Sequence, residues 1–222
     1  MRSRVLQQFS HDDVELLGRE LLHQGFFRLE RFTLRHRLFG GGWSPPLRRE
    51  LLLRRPAVAL LPYDPLRDEV VLIEEFRVGA LDPALLADDV EPAQRRQAAS
   101  PWLIELVAGI TEPDEPIEAT AHREAHEEAG LTLFELLPIA DYLSSAGGSD
   151  ERLHLFCGRV DSSQAGGIHG VDHEAEDILV RAVARETAYG WVEQGLIRNA
   201  ATLVALQWLQ LNHARVRAQW QC

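Results

Sequence analysis

The order of strand and helix patterns predicts an α+β or α/β sandwich preceded by a small N-terminal β-sheet. Three observations carry this reading. Residues 14 to 53 hold strand-like runs, from residue 57 onward strand runs alternate with two or three helical ones, and one helix is bounded by Pro116 and Gly130, the residue types that open and close helices.

In the N-terminal part, VELLGRELL, FFRLERFTLRHRLF and RRELLL are separated by Gly25 and by the turn-forming GGGWSPP. The predicted boundary divides a β-rich domain over 1–56 from a second domain over 57–222. That domain opens with the strands AVALLPY and EVVLIEEF, joined through DPLRD, and continues with WLIELVA and a helix from about Pro116 to Ala129. LHLFCGRV, a Gly/His loop from Gln164 to His173 and the strand DILVRAV follow. A short helix near Glu186 to Gln194 and one capped by Asn199, running to about Gln219, complete the order.

Composition narrows the function. With 222 residues and 45% hydrophobic content the chain can bury a proper core. A formal charge of −11 disfavours electrostatic binding to nucleic acid or anionic lipid, so neither is expected as a partner. The two cysteines, Cys157 and Cys222, form neither a disulfide framework nor a CxxC metal spacing, and no run approaches a membrane span. A cytoplasmic, soluble protein is the expectation.

The informative segment is GITEPDEPIEATAHREAHEEAGL, residues 109 to 131. On its helix Glu124, Glu127 and Glu128 stand at i, i+3 and i+4 and share a face, beside a small-residue stripe of Ala121, Ala125 and Ala129 that can approach a sheet closely. Like charges so placed repel by about 0.2–0.5 kcal/mol in an isolated helix, and a bound cation reverses that sign. Oxygen ligands alone suit Mg2+ or Mn2+, whereas His122, His126, His169 and His173 are too scattered to make a zinc set. The competing reading is a solvated acidic helix face with Arg123 as an ion-pair partner.

The full spacing resembles the Nudix box at every defined position: Gly109, Glu115, Arg123, Glu124, Glu127, Glu128, Gly130 and the aliphatic Leu131, with Ala125 where a larger aliphatic is usual. QGFFRLERFTLRHRLF, LRREL, DEVVLIEEFR, WLIELVAG, GGSDER, GIHGVDHEAEDI and the C-terminal helix extend the resemblance to the bacterial ADP-ribose pyrophosphatase branch of the Nudix hydrolases. Residues 81 to 100, rich in Ala, Asp, Pro and Gln, depart from that branch and read as a surface insertion.

The resemblance implies a Nudix-type α/β/α sandwich with a mixed sheet, and Mg2+-dependent hydrolysis of ADP-ribose to AMP and ribose 5-phosphate, Mn2+ being able to substitute. It implies metal ligands at Glu124, Glu127, Glu128, Glu176 and the carbonyl of Ala108. Arg123 would orient a box glutamate, Glu115 would brace the loop, and Gly109 and Gly130 would be structural. Glu174, in a glycine-rich loop able to close over substrate, is the implied base, with Glu151 as rival. Arg49, Arg77 and Phe26 match substrate positions, Phe26 by stacking on adenine. The branch also forms homodimers through its N-terminal sheet. The alternatives are a Nudix pyrophosphatase for another nucleoside diphosphate sugar, such as GDP-mannose, and a non-catalytic ADP-ribose sensor.

Overall fold

The structure, a computed structural model, describes residues 8–171 and 176–220. It divides into two compact units. The first comprises the chain up to Arg55 together with Leu143–Arg152. In it β1 (Val14–Gln24), β2 (Arg28–His36) and β3 (Leu47–Leu53) form an antiparallel sheet in that order. One face is polar: Arg31 of β2 bridges Glu20 of β1 and Glu50 of β3 at 3.1 and 3.0 Å. The buried Glu30 is paired with both Arg19 and Arg28.

The segment 143–152 joins this unit through backbone pairing that a contiguous boundary at residue 56 does not anticipate. Leu52 donates its N–H to Gly148 O at 2.9 Å, Arg54 donates to Asp150 Oδ1 at 2.7 Å, and Leu52 and Ser149 form a parallel bridge.

The second unit spans Pro56–Tyr142 and continues from Leu153. It opens with β4 (Ala57–Asp64) and β5 (Glu69–Phe76). Residues 81–100 then carry a 3₁₀ turn, Pro83–Leu86, and a short helix α1, Pro92–Gln97, neither of which buries a residue. After these come β6 (Trp102–Glu105), β7 (Val107–Ile110) and α2 (Ile117–Ala129), followed by β8 (Glu135–Leu143), β9 (Arg152–Arg159), β10 (Gly166–His169) and β11 (Ile178–Ala184). The helices α3 (Arg185–Glu193) and α4 (Ala200–Gln219) end the order. The fold class is α+β with a mixed sheet, since β4 runs parallel to β9 and antiparallel to β5 and β7.

The central strands explain the site's position. β4 and β5 pair only at Tyr63–Val70 and Asp64–Glu69 and then diverge. The gap is filled by β6, which pairs with β5, and by β7, which pairs with β4. Leu106 lies at the switch between them, and its N–H is taken up by Thr202 Oγ1 of α4 at 3.1 Å, so this buried donor is satisfied. Asn199 caps α4 by accepting from Thr202 N and also donates to Ile104 O.

Every residue of β4 is buried, as expected of a strand covered on both faces. Val58 and Leu60 pack in one core with Val71, Ile73 and the alanine stripe of α2, while Ala59, Leu61 and Tyr63 pack in the other with Leu206, Leu209 and Val216 of α4. The sheet is therefore sandwiched between helices.

Two local expectations are corrected and one strand is added. Pro116 is the N-cap of α2, with φ −63° and ψ 142°, one position before the first helical turn. The Gly/His loop is in part a strand: β10 pairs antiparallel with β11 from Gly166–Arg181 to His169–Ile178, in spite of glycines that weaken strand propensity. β8, which the sequence reading did not include, contains Pro138 and lies at the sheet edge, the position where a strand tolerates proline. Among the described residues no helix is long and apolar enough to cross a membrane.

Candidate active site

Helix α2 ends in a left-handed glycine, Gly130, at φ 63°. The N–H of Gly130 and of Leu131 bond to His126 O and Ala125 O, both at 2.9 Å, which closes the helix. Because the alanine stripe seats α2 directly on the sheet, Glu124 and Glu128 are carried on the same side and are themselves buried. Glu127 stays half-exposed.

Arg123 organises the acids around it. Its Nε and Nη2 meet the two oxygens of Glu115 at 3.0 and 3.2 Å, its Nη1 donates to Glu124 at 2.7 Å and to Glu127 at 2.9 Å, and Nη2 also reaches Ile110 O at 3.2 Å. Glu115 further accepts from Glu112 N and the Thr120 hydroxyl; Arg123 first, then these donors, hold its carboxyl down to about 2. Neither Arg123 nor Glu115 is a bystander to the fold of this loop.

Glu128 is 4% exposed and accepts the N–H of Ala108 at 2.9 Å. Burial pushes its carboxyl up to about 9, and the charges of Glu124, Glu75 and Glu176 add to the effect against that single donor. Burial likewise raises Glu124, opposed by Arg123. Glu176 accepts the N–H of Val171 at 3.1 Å, and its charge is felt by Glu75, Glu124 and Glu128.

Two members of this acidic cluster were not anticipated. Val71, Ile73, Glu75 and Arg77 alternate onto one face of the strand that carries Val71 and Ile73 under α2, and Glu105 of β6 lies opposite Ile73 on that face. Glu75 is 8% exposed, and burial, with help from Glu105 and Glu176 and against Arg77, pushes its carboxyl up to about 7. Arg77 donates its Nε to Glu105 at 2.7 Å and pairs through Nη2 with Glu75. The signal was present in the sequence as two acids and an arginine continuing an apolar alternation.

The remaining expected residues are distributed differently. Phe26 and Arg49 belong to the N-terminal unit: Phe26 is 87% exposed beside the Phe27 ring at 4.9 Å, and Arg49 donates to Arg48 O. Glu151 is in the same unit, held by Arg54 at 3.0 Å and Ser144 at 2.7 Å. Glu174 and His173 lie outside the described residues. His122 and His126 are exposed, and His169 packs on Gly130 while bonding Gly166 O at 3.0 Å.

A hard divalent cation fits this donor set. Glu124 and Glu128 are buried oxygen donors raised first by burial and then by neighbouring acids, and a cation would offset both. Among the described residues no three such side chains already converge as a cage, and Arg123 draws Glu124 and Glu127 toward itself. Ligation would compete with those contacts.

A short helix that seats buried glutamates against a mixed sheet, with Gly109, Glu115 and Arg123 arranged around them, is the arrangement of a NUDIX domain. The model of that domain matches residues 53–214, and the chain belongs to the NUDIX family. It is 47% identical over 212 residues to the ADP-ribose pyrophosphatase of Escherichia coli (strain K12), covering 96% of this chain and 95% of that protein. It is 30% identical over 203 residues to the GDP-mannose pyrophosphatase of Cronobacter sakazakii, covering 90% and 96%. A crystal structure described as an ADP compounds hydrolase matches with a TM-score of 0.64 over 91% of this chain and 97% of that one; at 17% identity it bears on the fold alone.

Proposed function

We propose that this protein hydrolyses the diphosphate of ADP-ribose to AMP and ribose 5-phosphate with a divalent cation, Mg2+ or Mn2+. The observation that carries the reading is the pair Glu124 and Glu128, both buried on one side of α2 beside Ala108 and Gly109. When bound, the cation supplies positive charge against which the diphosphate oxygens and an attacking water are held. Glu124, Glu128, Glu127, Glu176 and the Ala108 carbonyl are the ligand set of this reading. Arg123 sets the directions of Glu124 and Glu127, and Glu115 fixes Arg123. Glu174 takes the water's proton as the P–O–P link breaks, with Glu151 as the alternative base. Arg77 donates to a phosphate oxygen, and Phe26 and Arg49 contact the purine.

The identity of 47% to an ADP-ribose pyrophosphatase against 30% to a GDP-mannose pyrophosphatase favours the first substrate. The chain acts, on this reading, as a cytoplasmic homodimer, and the exposure of Leu16 (57%) and Leu21 (52%) on β1 supports a second copy as partner. The test is turnover of ADP-ribose and GDP-mannose with Mg2+, products separated by anion exchange. AMP and ribose 5-phosphate, abolished by EDTA, are expected. Faster cleavage of GDP-mannose transfers the substrate, and activity that survives EDTA overturns the cation.

A further inference from the structure

We infer that Glu105 and Glu75 are positioning residues for substrate binding, acting as a two-sided clamp that fixes the guanidinium of Arg77 beside the carboxylate cluster. This rests on the proposed reading of the site as one that binds a nucleoside diphosphate.

The clamp is built into the sheet. Glu75 and Arg77 are two residues apart and share a face of the chain leaving β5, and Glu105 reaches the same face from β6 because it pairs opposite Ile73. Glu105 Oε2 receives Nε at 2.7 Å, and Glu75 Oε1 pairs with Nη2. Glu105 thus hydrogen-bonds Nε and Glu75 lies against Nη2 as an ion pair, while Nη1 makes no hydrogen bond to a described residue. The Arg77 N–H is also fixed, donating to Pro101 O at 2.9 Å. Arg77 remains 42% exposed at its side chain, whereas Glu75 and Glu105 are 10% and 14% exposed, so the clamp is buried and the cation it holds is accessible.

Two physical consequences follow. An arginine has several rotatable bonds, and ordering them before substrate arrives removes that cost from binding. An unclamped guanidinium beside Glu124 and Glu128 would be drawn onto those carboxylates and would compete with a cation for them. The clamp leaves Nη1 as the donor for an oxygen of the diphosphate.

The experiment is a double-mutant cycle on the full chain with Glu105→Gln, Arg77→Ala and the double variant, comparing KM and kcat for ADP-ribose and, separately, the Kd for inorganic pyrophosphate by calorimetry. Glu105→Gln is expected to raise KM and Kd about tenfold or more, the loss of one charge-assisted hydrogen bond, with kcat within about threefold. In the Arg77→Ala background the same change should have no further effect. An unchanged KM and Kd in Glu105→Gln, or an effect just as large without Arg77, overturns the clamp. Should Glu105→Gln fail to fold by circular dichroism, Glu75→Gln replaces it in the cycle: a rise in KM and Kd that vanishes in the Arg77→Ala background is expected from the lost ion pair, and unchanged values, or an effect just as large without Arg77, overturn the clamp. Failure of the wild type to cleave ADP-ribose bears on the substrate alone, because the pyrophosphate arm reads the clamp without turnover.

Discussion

The carboxylate of Glu124 lies against the Cα of Gly109: a Cβ on residue 109 would stand 1.7 Å from Glu124 Oε1. The strand entering the box and the helix leaving it therefore meet at a contact that admits no side chain. Gly109→Ala should fold, since β7 can carry alanine, yet it must push Glu124 aside by more than an ångström. A loss of about a hundredfold in kcat/KM is expected, the scale of such a misplacement, with the melting temperature little changed. Wild-type turnover in this variant would show that Glu124 has no role where it stands.

Glu128 sets stability against function. Its carboxyl is pushed up to about 9 by burial and by neighbouring acids, so the cation-free folded state holds a proton that the unfolded chain releases near the ordinary carboxylate value. The folded state thus binds more protons across that interval, and stability falls as pH rises from about 4.5 toward 9. Glu128→Gln removes the effect. In EDTA its melting temperature should exceed that of the wild type by more at pH 8 than at pH 5, while turnover with Mg2+ is lost. An equal difference at both pH values would contradict the raised carboxyl.

Asp64 has the opposite sign. Burial alone would raise it, but the N–H groups of Ser162, Arg67 and Leu66 and the Arg67 guanidinium at 2.8 Å overcome burial and hold the carboxyl down to about 2. A depressed carboxylate contributes stability above its unfolded value, and that contribution is lost as pH falls through the folded one. Asp64→Asn should cost about 2 kcal/mol in urea unfolding at pH 7, with the deficit shrinking between about pH 4 and pH 2. A deficit independent of pH would mean that shape, not charge, matters here.

For the proposed dimer, light scattering should give twice the chain mass of 25.0 kDa. Leu16→Asp or Leu21→Asp, each placing a charge on the exposed apolar part of β1, should shift the protein toward monomer without unfolding the second unit. A dimer indifferent to both changes would place the interface elsewhere.

What could be read along the chain was local. Helix α2 was legible because Pro116 and Gly130 punctuate it and because Ala121, Ala125 and Ala129 keep a helical period, and the same offsets exposed Glu124 and Glu128. What depends on pairing was not. Glu105 joins the acids only because β6 pairs with β5 in a register that sets it opposite Ile73. Residues 143–152 join the N-terminal unit through pairing with Leu52 and Arg54, far away in sequence. β8 and β10 were obscured by the very residues, Pro138 and the glycines Gly166 and Gly167, that an edge position allows.

The switch at Leu106 has a consequence for the order of assembly. The strand run that presents Glu105 and Ala108 is sealed at its midpoint by Thr202, 96 residues further along the chain. During synthesis, box residues emerge well before the hydroxyl that satisfies the break beneath them. The rim that carries Glu105 and Ala108 is thus finished by α4 and not by the helix that bears the acids, and a nascent chain halted before Thr202 would display every box glutamate on an unfinished support.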